Sequence, residues 1–331
     1  MGRFVRWLLV GITGLVVLAV ALFLATRGDY PVARLVTQDP SLPSREIAGV
    51  RLHMEVHDGP PGAPVAIVLH GGPGGDFRSL RALSRLSDAV TVVFYDQRGA
   101  GLSERVAADR LSLDDHVAEL GAVIDAVSPD RPPILIGHSW GAMLASAYLG
   151  AHPRGAVAAV LIEPGYLDAA GRAAWTERSR EYLSGPPYWR EALLTGFRAR
   201  HVDGPDAAAA EDFLIGHMVG TFAGHPDNPY HCGGGYAAPA TRVGATSSAV
   251  WARAEDAQVD RVGADAGRFA GPVLFLAGRC NDWTGPALQR AHAARFRLAT
   301  VVAVEEAGHD VVWDNPDATL AILRRFLDGL P

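Results

Sequence analysis

Five short runs of uninterrupted apolar residues constrain this chain more than any other feature. They are VAIVL at 65–69, VTVVF at 90–94, ILI at 134–136, VAAVLI at 157–162 and VLFL at 273–276. Runs of this length without alternation are strands buried on both faces, as in the interior of a parallel sheet. RLHMEVH at 51–57 alternates instead, so Leu52, Met54 and Val56 are expected on one face of an edge strand with a wet side. Helical stretches lie between the runs. Ser112 is placed to cap one whose apolar stripe is Leu113, Val117, Leu120, Val123, Ile124 and Val127, with Pro129 as its stop. Residues 76–86, 140–150 and 317–327 have similar helical periodicity, and TVVAV at 300–304 is strand-like. Strand and helix therefore alternate, which specifies an α/β fold with a mostly parallel, doubly wound sheet.

That rhythm lapses between 165 and 270. Helical segments around 169–200 and 206–222 lead into the loop NPYHCGGGYAAP, the pattern of an inserted helical lid. The expected organisation is a leader at 1–27, a polar, proline-punctuated linker at 28–44, a core in two parts at 45–164 and 271–331, and the lid at 165–270 between them.

The leader contains nineteen consecutive residues without charge, 7–25, enough at helical rise to cross a hydrocarbon layer. Arg3 and Arg6 precede it, which favours an N-terminus left in the cytoplasm and a membrane-anchored domain outside it. Ala19-Val20-Ala21 gives a weak cleavage pattern, and a chain cut there would be secreted. A net charge of −6 and the lack of a Lys/Arg cluster argue against a nucleic-acid partner. The two cysteines, Cys232 and Cys280, have no companions at zinc-ligand spacing, so no metal is expected. A single bridge between them is open in an oxidising compartment, although Cys280 is expected to pack as a small hydrophobe.

Gly137-His138-Ser139-Trp140-Gly141 sits directly after one apolar run and directly before a helical stretch. A G-x-S-x-G in this context is a nucleophile elbow: the turn is too sharp for side chains beside the serine, and it aims the next N–H, that of Trp140, at a developing oxyanion. His70-Gly71-Gly72-Pro73-Gly74-Gly75 follows another strand, where glycines allow backbone to approach a substrate oxygen closely. A phosphate loop is excluded because no Gly-Lys-Ser/Thr follows. The N–H of Gly72 is therefore assigned as the second oxyanion donor. A serine nucleophile needs a base, and the base an orienting acid. His309, in Gly308-His309-Asp310 before the last helix, is the base candidate. Asp282, after the VLFL strand, is the expected acid on chain order. Glu163, at the end of the VAAVLI run, competes for that place and is otherwise assigned to a substrate's positive charge.

HGGPGG at 70–75, YDQRGAGLS at 95–103 and GHSWG at 137–141 resemble the proline iminopeptidase family of α/β-hydrolases. The resemblance covers 65–164 and returns around Asp282 and His309. It implies the α/β-hydrolase fold, Ser139 as nucleophile, Gly72 and Trp140 as oxyanion donors, and a short peptide with a free N-terminus as substrate; acyl transfer to water through Ser139 needs no cofactor. Two departures accompany it. Cys280-Asn281 displaces Asp282 by one position from the usual Gly-Arg-Tyr-Asp loop, and no amine-binding lid acid can be mapped, although Glu177, Glu181, Glu211 and Asp212 are available. The expected activity is that of a serine hydrolase, an aminopeptidase first, a carboxylesterase or lactonase second, and a non-catalytic binding protein of the same fold last.

Overall fold

The computed structural model describes residues 2–232, 242, 243, 250 and 255–330. Parts of the expected lid, including all of the GGGYAAP sequence at 233–239, lie outside the described residues.

Strands β1 (Ser44–Ile47), β2 (Val50–His57), β3 (Val65–Leu69), β4 (Thr91–Tyr95), β5 (Ile134–His138), β6 (Ala158–Ile162), β7 (Val273–Gly278) and β8 (Ala299–Val304) form one sheet in the order β1-β2-β4-β3-β5-β6-β7-β8. Every neighbouring pair from β4 to β8 is parallel, while β1 and β2 join antiparallel. The five apolar runs thus form contiguous strands in the parallel part, consistent with their two buried faces. The RLHMEVH strand pairs with β1 only over 50–53 and with β4 only over 54–57, so residues 54–57 have a neighbour on one side only, as expected of an edge. It differs from expectation at Val56, which is 52% exposed while Leu52 and Met54 are buried.

Helices cover both faces. On one side α2 (Leu113–Val127) and α3 (Trp140–Ala151) pack a core with Leu69, Leu135, Leu161 and Phe275. On the other, α10 (Pro316–Asp328) and the 3-10 segment Arg78–Asp88 cover Val68, Phe94, Ile136 and Leu276. Alternate residues of each strand enter opposite cores, the period of two expected of a pleated sheet. Ser112 caps α2 in a reciprocal capping box with Asp115. Residues 78–88 form 3-10 turns rather than the expected α-helix.

Between β6 and β7 the chain forms α4 (Ala169–Ser179), α5 (Gly185–Ala199), α6 (Ala209–Ala223) and α7 (Asp256–Ala264). A buried charge cluster fastens this insertion: Arg242 donates to Asp206 and Asp212, and Arg105 also donates to Asp212. Helices α8 (Pro286–Ala293) and α9 (Val311–Asp314) flank β8. The residues expected to be a linker are partly core. Leu35 and Val36 are buried, Val36 N–H donates to Leu102, and Gln38 donates to Pro205 and Asp206.

The first helix, α1 (Arg3–Ala25), is long and apolar enough to cross a membrane, with mean hydropathy 2.8 and none of that window buried. Its length and composition suit an anchor or a signal sequence equally. It meets the insertion at its C-terminal end, where His201 lies against the Phe23 ring and carbonyl.

The elbow leaves no room for side chains on its glycines. A Cβ on Gly141 would stand 2.1 Å from the Leu69 carbonyl oxygen, and one on Gly137 2.4 Å from that of Gly141. Gly141→Ala is expected to destabilise the chain by about 3 kcal/mol or more, since the obstruction is backbone that cannot rotate away. Denaturant unfolding of the parent and variant measures this; an unchanged midpoint would contradict the close approach.

Candidate active site

Ser139 stands between β5 and α3 with φ 52° and ψ −116°, a conformation disfavoured for any residue with a side chain. Its N–H donates to the Ile162 carbonyl, and its O accepts from Ala142 and Met143 at the start of the helix. The turn is held by hydrogen bonds on both sides, and Ser139 lines a cavity of about 320 Å³. Trp140, Gly71, Gly72 and His309 line the same cavity. Gly72 has φ +130°, open only to glycine, and a Cβ on Gly71 would lie 3.2 Å from that of Ser139. The structure therefore brings together the elbow, the glycine loop and His309, three of the features singled out in the sequence.

The YDQRGAGLS segment explains how the glycine loop and elbow are kept in register. His70, fully buried, donates from Nδ1 to the Gly71 carbonyl and accepts the Gln97 N–H at Nε2. Gln97 returns a donor to the His70 carbonyl, and its Oε1 accepts from the Trp140 indole at 2.9 Å. One residue thus spans the glycine loop and the elbow. Asp96 accepts from His53, Phe77 and Leu102, and Arg98 pairs with buried Glu119. Burial pushes the Glu119 carboxyl up to about 6 against the opposing Arg98 guanidinium.

The acid differs from expectation. Glu163, not Asp282, faces His309: its Oε2 accepts from His309 Nδ1 at 2.8 Å. Glu163 is 0% exposed and sits at φ 44° immediately after β6. Its oxygens also accept from Gly278 N–H at 2.7 Å, Asn281 Nδ2 at 2.6 Å and Thr284 Oγ1 at 3.0 Å. Four donors leave it no capacity for a substrate's charge, and it is not among the cavity-lining residues, so the substrate-binding assignment is corrected as well. Asp282 points outward, with its side chain 76% exposed and accepting from Arg178 at 2.7 Å. The extra residue in Cys280-Asn281 turns Asn281 inward and Asp282 to solvent.

His309 is buried and held on every side. Its N–H donates to the Tyr230 carbonyl at 2.9 Å, and the Tyr230 ring stacks on the imidazole with centroids 4.1 Å apart and planes at 15°. His138 Nε2 donates to the His309 carbonyl at 3.0 Å, and burial drives the His138 imidazole down to about 4, so it stays neutral. For His309, burial disfavours the imidazolium, but the hydrogen bond and charge of Glu163 outweigh it, with Asp310 and Asp314 adding to the same side. Its titration lies above the ordinary imidazole value. Nδ1 is occupied by Glu163, which leaves Nε2 as the nitrogen free for chemistry.

Cys232 and Cys280 form a disulfide, with Cα atoms 5.2 Å apart, in place of the free, packed Cys280 expected. Asn281, Thr284 and Tyr230 were not singled out in the sequence, since nothing in spacing alone distinguishes an inward amide or ring from a surface one. Of the insertion acids, Asp212 is buried against Arg242, Glu177 pairs with Arg180, and Glu181 and Glu211 are exposed. None of the four lines the cavity. Among the described residues, no group of three His, Cys, Asp or Glu side chains is placed to hold a metal ion.

Residues 66–322 match the model of the alpha/beta hydrolase family. The chain belongs to that family. Among its relatives is a proline iminopeptidase of Heyndrickxia coagulans, 26% identical over 292 residues, covering 86% of this chain and 98% of the relative. Epoxide hydrolase A of Mycobacterium tuberculosis is 27% identical over 328 residues, covering 85% and 95%. The proline iminopeptidase of Mycobacterium smegmatis superposes with a TM-score of 0.57 at 22% identity, covering 86% of this chain and 97% of that one. The fold and the family resemblance expected from the sequence are thus borne out.

Because Glu163 makes the largest contribution to raising the His309 titration, its replacement lowers it. Nuclear magnetic resonance titration of the imidazole is expected to give a midpoint above about 6.5 in the parent and a lower one in Glu163→Gln, where burial is opposed only by the charges of Asp310 and Asp314. An unmoved midpoint in the variant, or one moved equally by Asp282→Asn, would contradict the pairing.

Proposed function

We propose that this chain is a serine hydrolase that works through an acyl-enzyme. Ser139 Oγ attacks a substrate carbonyl while His309 Nε2 takes its proton, and Glu163 holds the imidazole in the required tautomer and offsets its transient charge. The N–H groups of Trp140 and Gly72 receive the oxyanion, and His309 returns the proton to the leaving group. Water activated by the same histidine then releases the acid. The single observation that carries this proposal is the buried Glu163–His309 hydrogen bond at 2.8 Å beside a cavity that Ser139 also lines.

An aminopeptidase acting on a small peptide with a free N-terminus is the favoured form. It is supported by the proline iminopeptidase relatives and by Asp310, a cavity-lining carboxylate whose Oδ2 is buried without a hydrogen-bond partner. A buried, unsatisfied carboxylate oxygen costs free energy that a substrate ammonium would recover. A second form, hydrolysis of small esters or lactones, is favoured by the insertion's wall of the cavity, where Leu183, Ile215, Met218, Val219 and Phe222 offer no charge. The proposed location is outside the cytoplasm, anchored through residues 7–25, or secreted if that segment is removed. The Cys232–Cys280 bond supports an oxidising compartment.

Ser139→Ala is expected to abolish turnover and labelling by a fluorophosphonate. Glu163→Gln should lower kcat by about 10⁴-fold, as loss of a triad acid does, while Asp282→Asn stays close to the parent. Steady-state rates of purified variants decide this, and equal losses in the two acid variants would overturn the assignment. In the parent, activity falls as pH drops through the His309 titration, because only the neutral imidazole accepts the serine proton.

For the substrate, a proline arylamide is expected to outperform a short acyl ester in kcat/KM, and Asp310→Asn to raise KM for the arylamide about ten-fold while sparing the ester. Preference for the ester with indifference to Asp310→Asn would leave esters or lactones as the substrate.

A further inference from the structure

The general base is gripped by residues that a disulfide ties together. Tyr230 contacts His309 twice, through its carbonyl and through its stacked ring, and its hydroxyl accepts from the Trp175 indole at 3.1 Å. Two residues later Cys232 is bonded to Cys280, the neighbour of Asn281, which holds Glu163. The bridge closes a loop from the insertion onto the end of β7, so that one covalent link fixes both the partner above the imidazole and the partner behind its carboxylate. Both cysteines are exposed, although the groups they position are buried. No other covalent bond joins the insertion to the acid loop among the described residues.

We propose that Tyr230 is a positioning residue for His309 and that the exposed Cys232–Cys280 bond makes this positioning dependent on the surrounding thiols. The proposal rests on His309 acting as the base of a serine hydrolase. In the oxidised protein the chain from 228 to 232 cannot leave the imidazole, and the ring stack confines its rotation about the Nδ1–Glu163 hydrogen bond. A reducing dithiol opens the link in two steps. One of its thiolates attacks a cysteine sulfur, forming a mixed disulfide and expelling the other cysteine as thiolate; its second thiol then displaces the first cysteine. The protein S–S bond breaks, an S–S bond forms in the reductant, and two electrons and two protons pass to the cysteines. Beyond the backbone itself, Tyr230 is then retained by noncovalent contacts alone. Small displacements of a base from its working geometry cost large factors in rate without unfolding the protein.

The full chain in detergent, with and without dithiothreitol, tests this, the thiols being counted by maleimide mass shift. Reduction is expected to lower kcat by about ten- to hundred-fold with little change in KM, and reoxidation to restore it. Cys232→Ser combined with Cys280→Ser should reproduce the loss without dithiothreitol. Tyr230→Ala should lower kcat similarly and make the enzyme insensitive to reduction, because both changes remove the same contact. Tyr230→Phe, which keeps ring and carbonyl, should recover most of the loss and the sensitivity. The stacked ring also shifts the His309 Cε1–H resonance, which should move on reduction whether or not the chain hydrolyses anything. An inactive parent with a moving resonance would refute the hydrolase and keep the clamp. Full activity with both thiols titrated, or a loss that adds to that of Tyr230→Ala, would overturn the clamp.

Discussion

The Glu163 carboxylate is the fixed point of the site. A fully buried carboxylate is costly unless its oxygens are occupied, and here four donors from the end of β7, the loop after it and the loop before α9 converge on it. Those donors come from segments more than a hundred residues away in the chain. The same set of bonds that makes the charge tolerable therefore also fixes where His309 stands, and satisfying the carboxylate and orienting the imidazole are one structural problem.

The opposite wall is organised by a second buried polar group. Gln97 is neutral and uncharged chemistry is not required of it, but by bonding His70 and the Trp140 indole it locks the glycine loop to the elbow. Preorganised donors act because they do not need to reorient when charge develops. A segment that neither the elbow nor the glycine loop demands thus becomes intelligible as the bracket between them.

Much of this was legible in the sequence. Apolar runs without alternation identified the parallel strands because burial on both faces leaves no room for polar residues, and the elbow was readable because its glycines answer a steric need that the 2.1 Å and 2.4 Å approaches now quantify. The acid was not. Asp282 and Glu163 both follow strands, and a one-residue difference in a loop decides which carboxylate turns inward. Loop geometry of that kind is set by contacts such as those of Asn281 with Thr284, which spacing does not encode. Likewise, Leu35 and Val36 sit in a stretch whose prolines suggest a tether, and only the docking surface on the domain makes them core.

That last point has a practical side. Gln38 and the Ala33 carbonyl bond into the Asp206–Arg242 cluster that fastens the insertion, while α1 ends at Ala25. Trimming the apolar leader to obtain a soluble protein leaves only the few residues between Arg27 and Ala33 for the cut. A shorter product would strip a strap from the helices that roof the cavity, and any loss of turnover in it would report a missing fastening rather than a missing membrane.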